Sequence, residues 1–306
     1  MKPEVARISD SKLHKGAVYA LEKGHADGSF FSAGSDGLVI HQHIDGPEPA
    51  AVANAGIPVY ALLFRAETRH LLVGTGSGNI HIIDLEAKKE IRNLQAGNKA
   101  LFSMRLSPQK NMIAAGCGDG NVMIYDASDY RAIVTLPSSK ERIRTLAFHP
   151  SGNALAAGGS DGRIRIYRTA DFSLMHEFEA HSPSVFSIAY SSDGSKLFSG
   201  GRDARLKAFD SLSMYGKTLD IVPHMFTVNA IAMDKNGNLL ATASRDKSIR
   251  LWNAMDASLL RTMDSSRSGG HTHSVNALAW ITENTMISGG DDGRTIAWKT
   301  VYNANS

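Results

Sequence analysis

Ser160-Asp161-Gly162-Arg163-Ile164-Arg165-Ile166-Tyr167 is an Asp-Gly turn running into a strand. Gly supplies the positive φ that such a turn demands, and Ile164 and Ile166 alternate onto one face with an aromatic close behind. Working outward, the same aspartate recurs at Asp36, Asp119, Asp203, Asp246 and Asp292, with Ser77 in the one empty slot. The seven positions follow one another at 41 to 46 residues. Self-similarity at ~40–45 residues is the signature of a β-propeller in which each repeat is one four-stranded blade. Seven such blades consume almost all of the 306 residues and leave no second domain. The expected fold is all-β: a single seven-bladed β-propeller of antiparallel blades, with repeats at 14–54, 55–96, 97–138, 139–180, 181–223, 224–270 and 271–306 plus 3–9.

Aligned on that slot, each repeat begins with a strand a of the form apolar, x, small, apolar, x, large, as in Val185-Phe186-Ser187-Ile188-Ala189-Tyr190 and Val275-Asn276-Ala277-Leu278-Ala279-Trp280. The spacing between the first two apolar positions breaks strict alternation, so one residue is predicted to bulge out. Strand b follows, as in Asn238 to Ala243, then the turn and strand c.

Arg245-Asp246-Lys247-Ser248-Ile249-Arg250-Leu251-Trp252-Asn253 resembles the strand-c signature of the WD-repeat family, with Asn253 where the family usually has Asp. The resemblance covers the whole chain. It implies a buried tetrad of a His before strand a, a Ser or Thr in strand b, the turn Asp and a strand-c Trp. His224, Thr242, Asp246 and Trp252 match all four positions, as do His271, Ser288, Asp292 and Trp298. His181, Ser199 and Asp203 remain with Phe209 in the Trp slot, and His14, Ser32 and Asp36 with Gln42. The three repeats lacking the His carry Ala55, Gly97 and Ser139 there, and the same three carry Val73, Ala115 and Ala157 in place of the hydroxyl. Losing one buried partner strands the other at ~1–3 kcal/mol, whereas losing both can be nearly neutral. Asp119 and Asp161 persist because a turn Asp accepts backbone N–H groups by itself. Blades 5, 6, 7 and 1 are therefore expected to be pinned by polar groups and blades 2 to 4 to rest on apolar packing. Few residues follow Trp298, whereas Pro3 to Ser9 precede the first strand a and carry the alternating Val5 and Ile8. The N-terminal segment is expected to supply the outer strand of the last blade and so remove a loose edge.

Composition narrows the function. Apolar residues at 42% and charged ones at 21% can build a packed core. The net charge of +3 comes without any run of like charges, which disfavours nucleic acid. Cys117 is the single cysteine, so no internal disulfide forms, and Met1 to Gly16 has no apolar signal segment. The expectation is a cytoplasmic, monomeric protein with no membrane span and no cofactor. No H-E-x-x-H, Walker loop or Cys-His cluster occurs. Gly74-Thr75-Gly76-Ser77-Gly78 lies between strands b and c with no helix after it, and reads as a turn. The pairs His41-x-His43 and His271-x-His273 lack the further ligands of a zinc site. Ser265 to Gly270 reads as a flexible connection.

One set of residues varies where the frame does not. The bulged position of strand a reads Tyr19, Tyr60, Phe102, Arg144, Phe186, Asn229 and Asn276. Tyr and Phe together are 19 of 306 residues, so seven slots should hold fewer than one, and four do. The family resemblance places this position on the top face at the rim of the central channel. The residue before the turn Asp reaches the same face and includes Arg202, Arg245 and Asp291. Aromatics and Arg are enriched at interface hot spots. The resulting expectation is a non-catalytic protein-interaction scaffold that binds a peptide or protein segment there. An enzyme using the propeller as scaffold and a single-stranded nucleic-acid module are the alternatives. Against the enzyme, the slot after the arc reads Ala20, Ala61, Ser103, Thr145, Ser187, Ala230 and Ala277, a channel lining without acid or base.

Overall fold

The computed structural model of the chain describes residues 2–301, so the tail of the seventh repeat, 302–306, lies outside the described residues. Seven four-stranded antiparallel sheets stand side by side, six of them built from four consecutive strands. Blade 1, for example, takes Val18–Lys23, Ser29–Gly34, Leu38–His43 and Ala50–Asn54 as strands a to d. Strand b is buried at every position in Ala154–Gly159 and Leu239–Ser244, because both of its faces meet a neighbouring blade. The core is thus a ring of wedges: Phe31 and Ala33 of blade 1 pack with Val59 and Leu71 of blade 2. In the b–c turn Gly162 has φ 80°, and a β-carbon there would run into the His181 carbonyl oxygen.

The seventh blade closes the ring. Val275–Trp280, Thr285–Gly290 and Arg294–Val301 are joined on the outside by Glu4–Lys12 from the other end of the chain. The pairing runs from Glu4↔Val301 to Lys12↔Arg294, reaching further along the chain than the alternation of Val5 and Ile8 indicated. Arg294 fixes it, donating from Nε to Asp10 Oδ1 at 2.8 Å and from its second terminal nitrogen to Asp10 Oδ2. The Arg294 guanidinium holds the Asp10 carboxyl below the usual carboxylate range. Ser265 to Gly270 is not a loose connection. Ser265–Ser268 form one helical turn whose Asp264 cap accepts from Ser266 and Arg267 N–H, and Arg7 and Arg294 donate to the carbonyls of Gly269 and Gly270 at 3.0 Å.

The tetrads are the other pins. His224 Nδ1 lies 2.9 Å from Asp246, its Nε2 lies 2.8 Å from Thr242 Oγ1, and Trp252 Nε1 donates to the same hydroxyl at 2.9 Å. His271, Ser288, Asp292 and Trp298 repeat this geometry. Burial alone would raise the Asp246 and Asp292 carboxyls, but the His224 and His271 hydrogen bonds and backbone N–H groups overcome it; Asp246 falls far below the usual range and Asp292 to about 2. In blade 1 Gln42 does the work of the missing Trp: its Nε2 donates to Ser32 Oγ at 2.7 Å while its Oε1 accepts from Thr295 in blade 7.

Blade 4 departs from the apolar packing expected of it. Arg165 Nη2 reaches Asp161 at 2.7 Å and Glu177 at 2.9 Å, and Ser139 adds a 2.9 Å bond to Asp161. A strand-c arginine thereby replaces the histidine, a substitution that lies outside the tetrad pattern. In blade 3 Asp119 accepts, among the described residues, only from the N–H groups of Asn98 and Asn121.

Candidate functional site: the channel mouth

Strand a of every blade slips register after its first residue. The slips fall at Val18/Ala20, Val59/Ala61, Leu101/Ser103, Ile143/Thr145, Val185/Ser187, Val228/Ala230 and Val275/Ala277. The residues extruded are Tyr19, Tyr60, Phe102, Arg144, Phe186, Asn229 and Asn276, and all seven line the mouth of one channel of about 140 Å³.

The rings form a chain of contacts. Tyr19 and Tyr60 stack with centroids 5.1 Å apart, and Tyr60 meets Phe102 at 5.3 Å. The sequence places Arg144 as an interruption of the arc, yet its guanidinium lies 5.6 Å from the centre of Phe102 and 4.4 Å from that of Phe186. It bridges the rings instead of separating them. Arg144 Nε donates to Ser160 Oγ at 2.7 Å, which fixes the guanidinium over the rings. Burial, then the nearby Arg142 and Arg202, pull the Arg144 pKa below its ordinary value. Arg202 and Arg245 are exposed and make no side-chain hydrogen bond or ion pair among the described residues.

Blades 6 and 7 have a different mouth. Asn229 Nδ2 donates to Ser274 Oγ and to Val275 O of the next blade at 3.0 and 2.9 Å. Asn276 Nδ2 donates to Asp291 Oδ1 at 2.7 Å and to Val18 O of blade 1 at 3.3 Å. Their amide donors are taken up by groups of the same and the next blade. The ring of bulges is therefore divided into an aromatic–cationic arc over blades 1 to 5 and an amide–carboxylate clasp over blades 6 and 7.

Below the mouth, the channel slot is also spoken for. Ser103 Oγ, Thr145 Oγ1 and Ser187 Oγ accept from the backbone N–H of Leu146, Ile188 and Ile231 in the following blades, at 3.0 to 3.2 Å. The channel is not free of acids and bases, however. Arg105 lines it, ringed by protein yet open to its water, and Glu22 lies on the innermost strand of blade 1 with Oε1 accepting from Phe64 N of blade 2 at 3.2 Å. Burial pushes the Glu22 carboxyl up to about 7, against the opposing pull of the Phe64 N–H and Arg105. Sequence reading missed this pair because each falls one alternation step past the slot it considered.

The histidine pairs separate. His271 belongs to its tetrad, His41 stacks on Phe31 with centroids 4.7 Å apart, and His43 Nδ1 accepts from Asp45 N. No group of three or more His, Cys, Asp or Glu is placed to hold a metal ion among the described residues. Gly74 to Gly78 form the end of strand b and the b–c turn, with Gly78 at φ 88°.

Comparison with known proteins accords with this architecture. The pattern of the WD domain, G-beta repeat matches residues 216–253 and 259–299, that of the anaphase-promoting complex subunit 4 WD40 domain matches 104–193, and that of the LRRK2 beta propeller matches 54–139. The chain belongs to the WD-repeat family. Among characterised members, nuclear distribution protein PAC1 of Arthroderma benhamiae is 31% identical over 107 residues, 30% of this chain and 21% of that protein. PAC1 of Trichophyton verrucosum gives the same figures. Periodic tryptophan protein 2 of Arabidopsis thaliana is 32% identical over 76 residues, 24% of this WD-repeat chain and 8% of that protein. The matches thus span about a fifth or less of these relatives' length. WD-repeat propellers generally act as protein-interaction scaffolds.

Proposed function

We propose that this WD-repeat chain is a non-catalytic scaffold that binds a protein or peptide segment across its upper face, over the channel mouth. The observation that carries this reading is the continuous stack from Tyr19 to Phe186, half-buried, with Arg144 fixed inside it and Arg202 and Arg245 standing free beside it. Pre-ordered aromatic and guanidinium groups lose little entropy on binding, which is why such residues dominate hot spots. The rings take apolar or cationic side chains, Arg202 and Arg245 take carboxylates, and Asp291 with Asn229 and Asn276 completes the rim. The proposal includes a monomer in a reducing, cytoplasmic setting. It is compatible with Cys117, which is buried and whose thiol is pushed up to about 12 by burial and then by Asp119. No helix among the described residues is long and apolar enough to cross a membrane.

The catalytic alternative has one observation in its favour, the Glu22 carboxyl with its raised pKa near Arg105. That carboxylate is already accepting from Phe64 N, and about 140 Å³ of channel leaves little room for a substrate. The test is the triple substitution Tyr60→Ala, Phe102→Ala and Phe186→Ala followed by affinity capture from a native lysate. Loss of partners with the fold retained is expected; identical partners on a folded variant would move the binding face elsewhere. A shallow salt dependence of the captured complex is expected, and a steep one would favour nucleic acid.

A further inference from the structure

The gaps between blades are not filled alike. Between strands c and d, the hairpin carries a residue with a left-handed backbone in each of blades 2 to 6: Lys88 (φ 52°), Tyr130 (φ 60°), Phe172 (φ 58°), Tyr215 (φ 58°), which follows Met214 (φ 50°) in the same conformation, and Ala257 (φ 56°). In blades 3, 4 and 5 it is aromatic, and its ring turns back into the gap facing the preceding blade. Tyr130 packs in the core shared with blade 2, Phe172 in that shared with blade 3 and Tyr215 in that shared with blade 4. Polar ends are fastened: Tyr130 Oη lies 2.7 Å from His70 Nδ1, and Tyr215 Oη lies 2.8 Å from Tyr190 Oη.

Blade 2 puts an exposed lysine, Lys88, at this position, and the gap between blades 1 and 2 is open. It is a cavity of about 620 Å³ walled by Phe31 and His41 of blade 1 and by Phe64, Ile83 and Leu85 of blade 2, with Lys88 at its edge. The outer strand of blade 1 widens it, because Ala50 stands opposite His41, where blade 2 sets Arg92 opposite Ile82 and sends its guanidinium across to Asp129 O.

We propose that this gap is a second, lateral docking site that takes an aromatic side chain from an acidic segment of a partner protein, in the place Tyr130, Phe172 and Tyr215 fill at the next three junctions. Its volume falls within the ~300–1,000 Å³ typical of ligand pockets. His41, stacked on Phe31, supplies a ring wall, and burial followed by His43 keeps its pKa below the ordinary value, so the neutral imidazole accepts from a phenol hydroxyl. At the rim Arg69 is paired with Glu86 at 3.4 Å, whereas Lys88 makes no ion pair among the described residues. The surplus of positive charge selects acidic flanks. The site shares no residue with the channel mouth and stands or falls independently of it.

The test uses the full chain with labelled Ile and Leu methyl groups, titrated with p-cresol, the side-chain analogue of tyrosine, and with the blocked tripeptides Glu-Tyr-Glu and Lys-Tyr-Lys. The Ile83 and Leu85 methyl signals are expected to move with p-cresol, and the acidic tripeptide to bind about threefold or more tighter than the basic one. Lys88→Tyr, which closes the gap with the chain's own ring, is expected to weaken p-cresol binding about tenfold, about 1.4 kcal/mol, while Lys88→Ala leaves it unchanged. Should Lys88→Tyr fail to fold, Ala51→Leu fills the gap from the opposite wall and is read the same way. Unmoved Ile83 and Leu85 signals, wild-type affinity in the filled variant, or preference for the basic tripeptide each overturns the proposal.

Discussion

Blades 5, 6, 7 and 1 hold the turn aspartate with a histidine, and blades 2, 3 and 4 reach a similar turn without one. Blade 4 uses Arg165, blade 3 uses two backbone N–H groups, and blade 2 dispenses with the acid and joins Thr75 to Ser77 at 3.0 Å. What the propeller requires is a satisfied turn; the tetrad is one way of satisfying it. The bulged arc ignores the division, running from tetrad blade 1 across blades 2 to 4 into tetrad blade 5. Blade-to-blade variation in how a turn is pinned therefore leaves the face that carries the arc geometrically continuous.

The largest test of the ring removes its closure. Deleting residues 2–10 strips most of the pairing with Arg294–Val301 and the Arg294–Asp10 contact, leaving a bare strand edge. The melting midpoint is expected to fall by about 10 °C or more, the size several kcal/mol produces in a chain of this length. An unchanged melt would show that the closing strand is dispensable. Next comes the contrast between the two halves themselves. Asp246→Ala strands His224, and is expected to cost ~3–5 kcal/mol in urea unfolding, against ~1 kcal/mol for Asp119→Ala, which loses only backbone acceptor bonds. Equal costs would erase the distinction between pinned and packed blades. The contrast is also pH-dependent. The depressed carboxyls of Asp246 and Asp292 contribute stability that is fully present above their ordinary range near 3.8 and lost as pH falls through their folded values, about 2 for Asp292. Acid unfolding of wild type between about pH 4 and 2 should therefore flatten in Asp292→Asn.

Periodicity made the blades and the bulge legible, because each is a rule repeated around the ring, while Val5 and Ile8 before the first strand a pointed to the closing strand. What sequence could not supply were the exceptions in which a side chain leaves its own repeat. Gln42 takes the Trp role by donating to Ser32 and also accepts from Thr295, two hundred and fifty-three residues away in sequence, and Arg144 joins rings from blades 3 and 5. Arg165 answers Asp161 from strand c, a position where the tetrad pattern looks only for Trp. The aromatic hairpin residues Tyr130, Phe172 and Tyr215 were visible as letters, but the significance of Lys88 among them lies in the gap that it leaves open. The arc itself could be named from a slot count; its continuity could not.

The smallest effect probes the seam between the two halves, where tetrad blade 1 meets blade 2. Glu22 crosses that seam to Phe64 N, and its carboxyl is raised from an ordinary 4.5 to about 7. The folded chain therefore binds this proton more tightly than the unfolded one, so stability falls as pH rises from about 4.5 to 7, and the full penalty remains above that window. Glu22→Gln keeps an oxygen for Phe64 N but carries no charge to desolvate. It is expected to stabilise the protein by about 2 kcal/mol at pH 8, a value reduced for water in the channel, and by almost nothing at pH 4. Arg105→Met should act in the opposite sense at pH 8, since it removes the cation that partly offsets burial of the carboxylate. Urea midpoints of the three proteins at both pH values decide the matter. If Glu22→Gln were neutral or destabilising at pH 8, the carboxylate would be well solvated in the channel, and the seam would be held by packing alone.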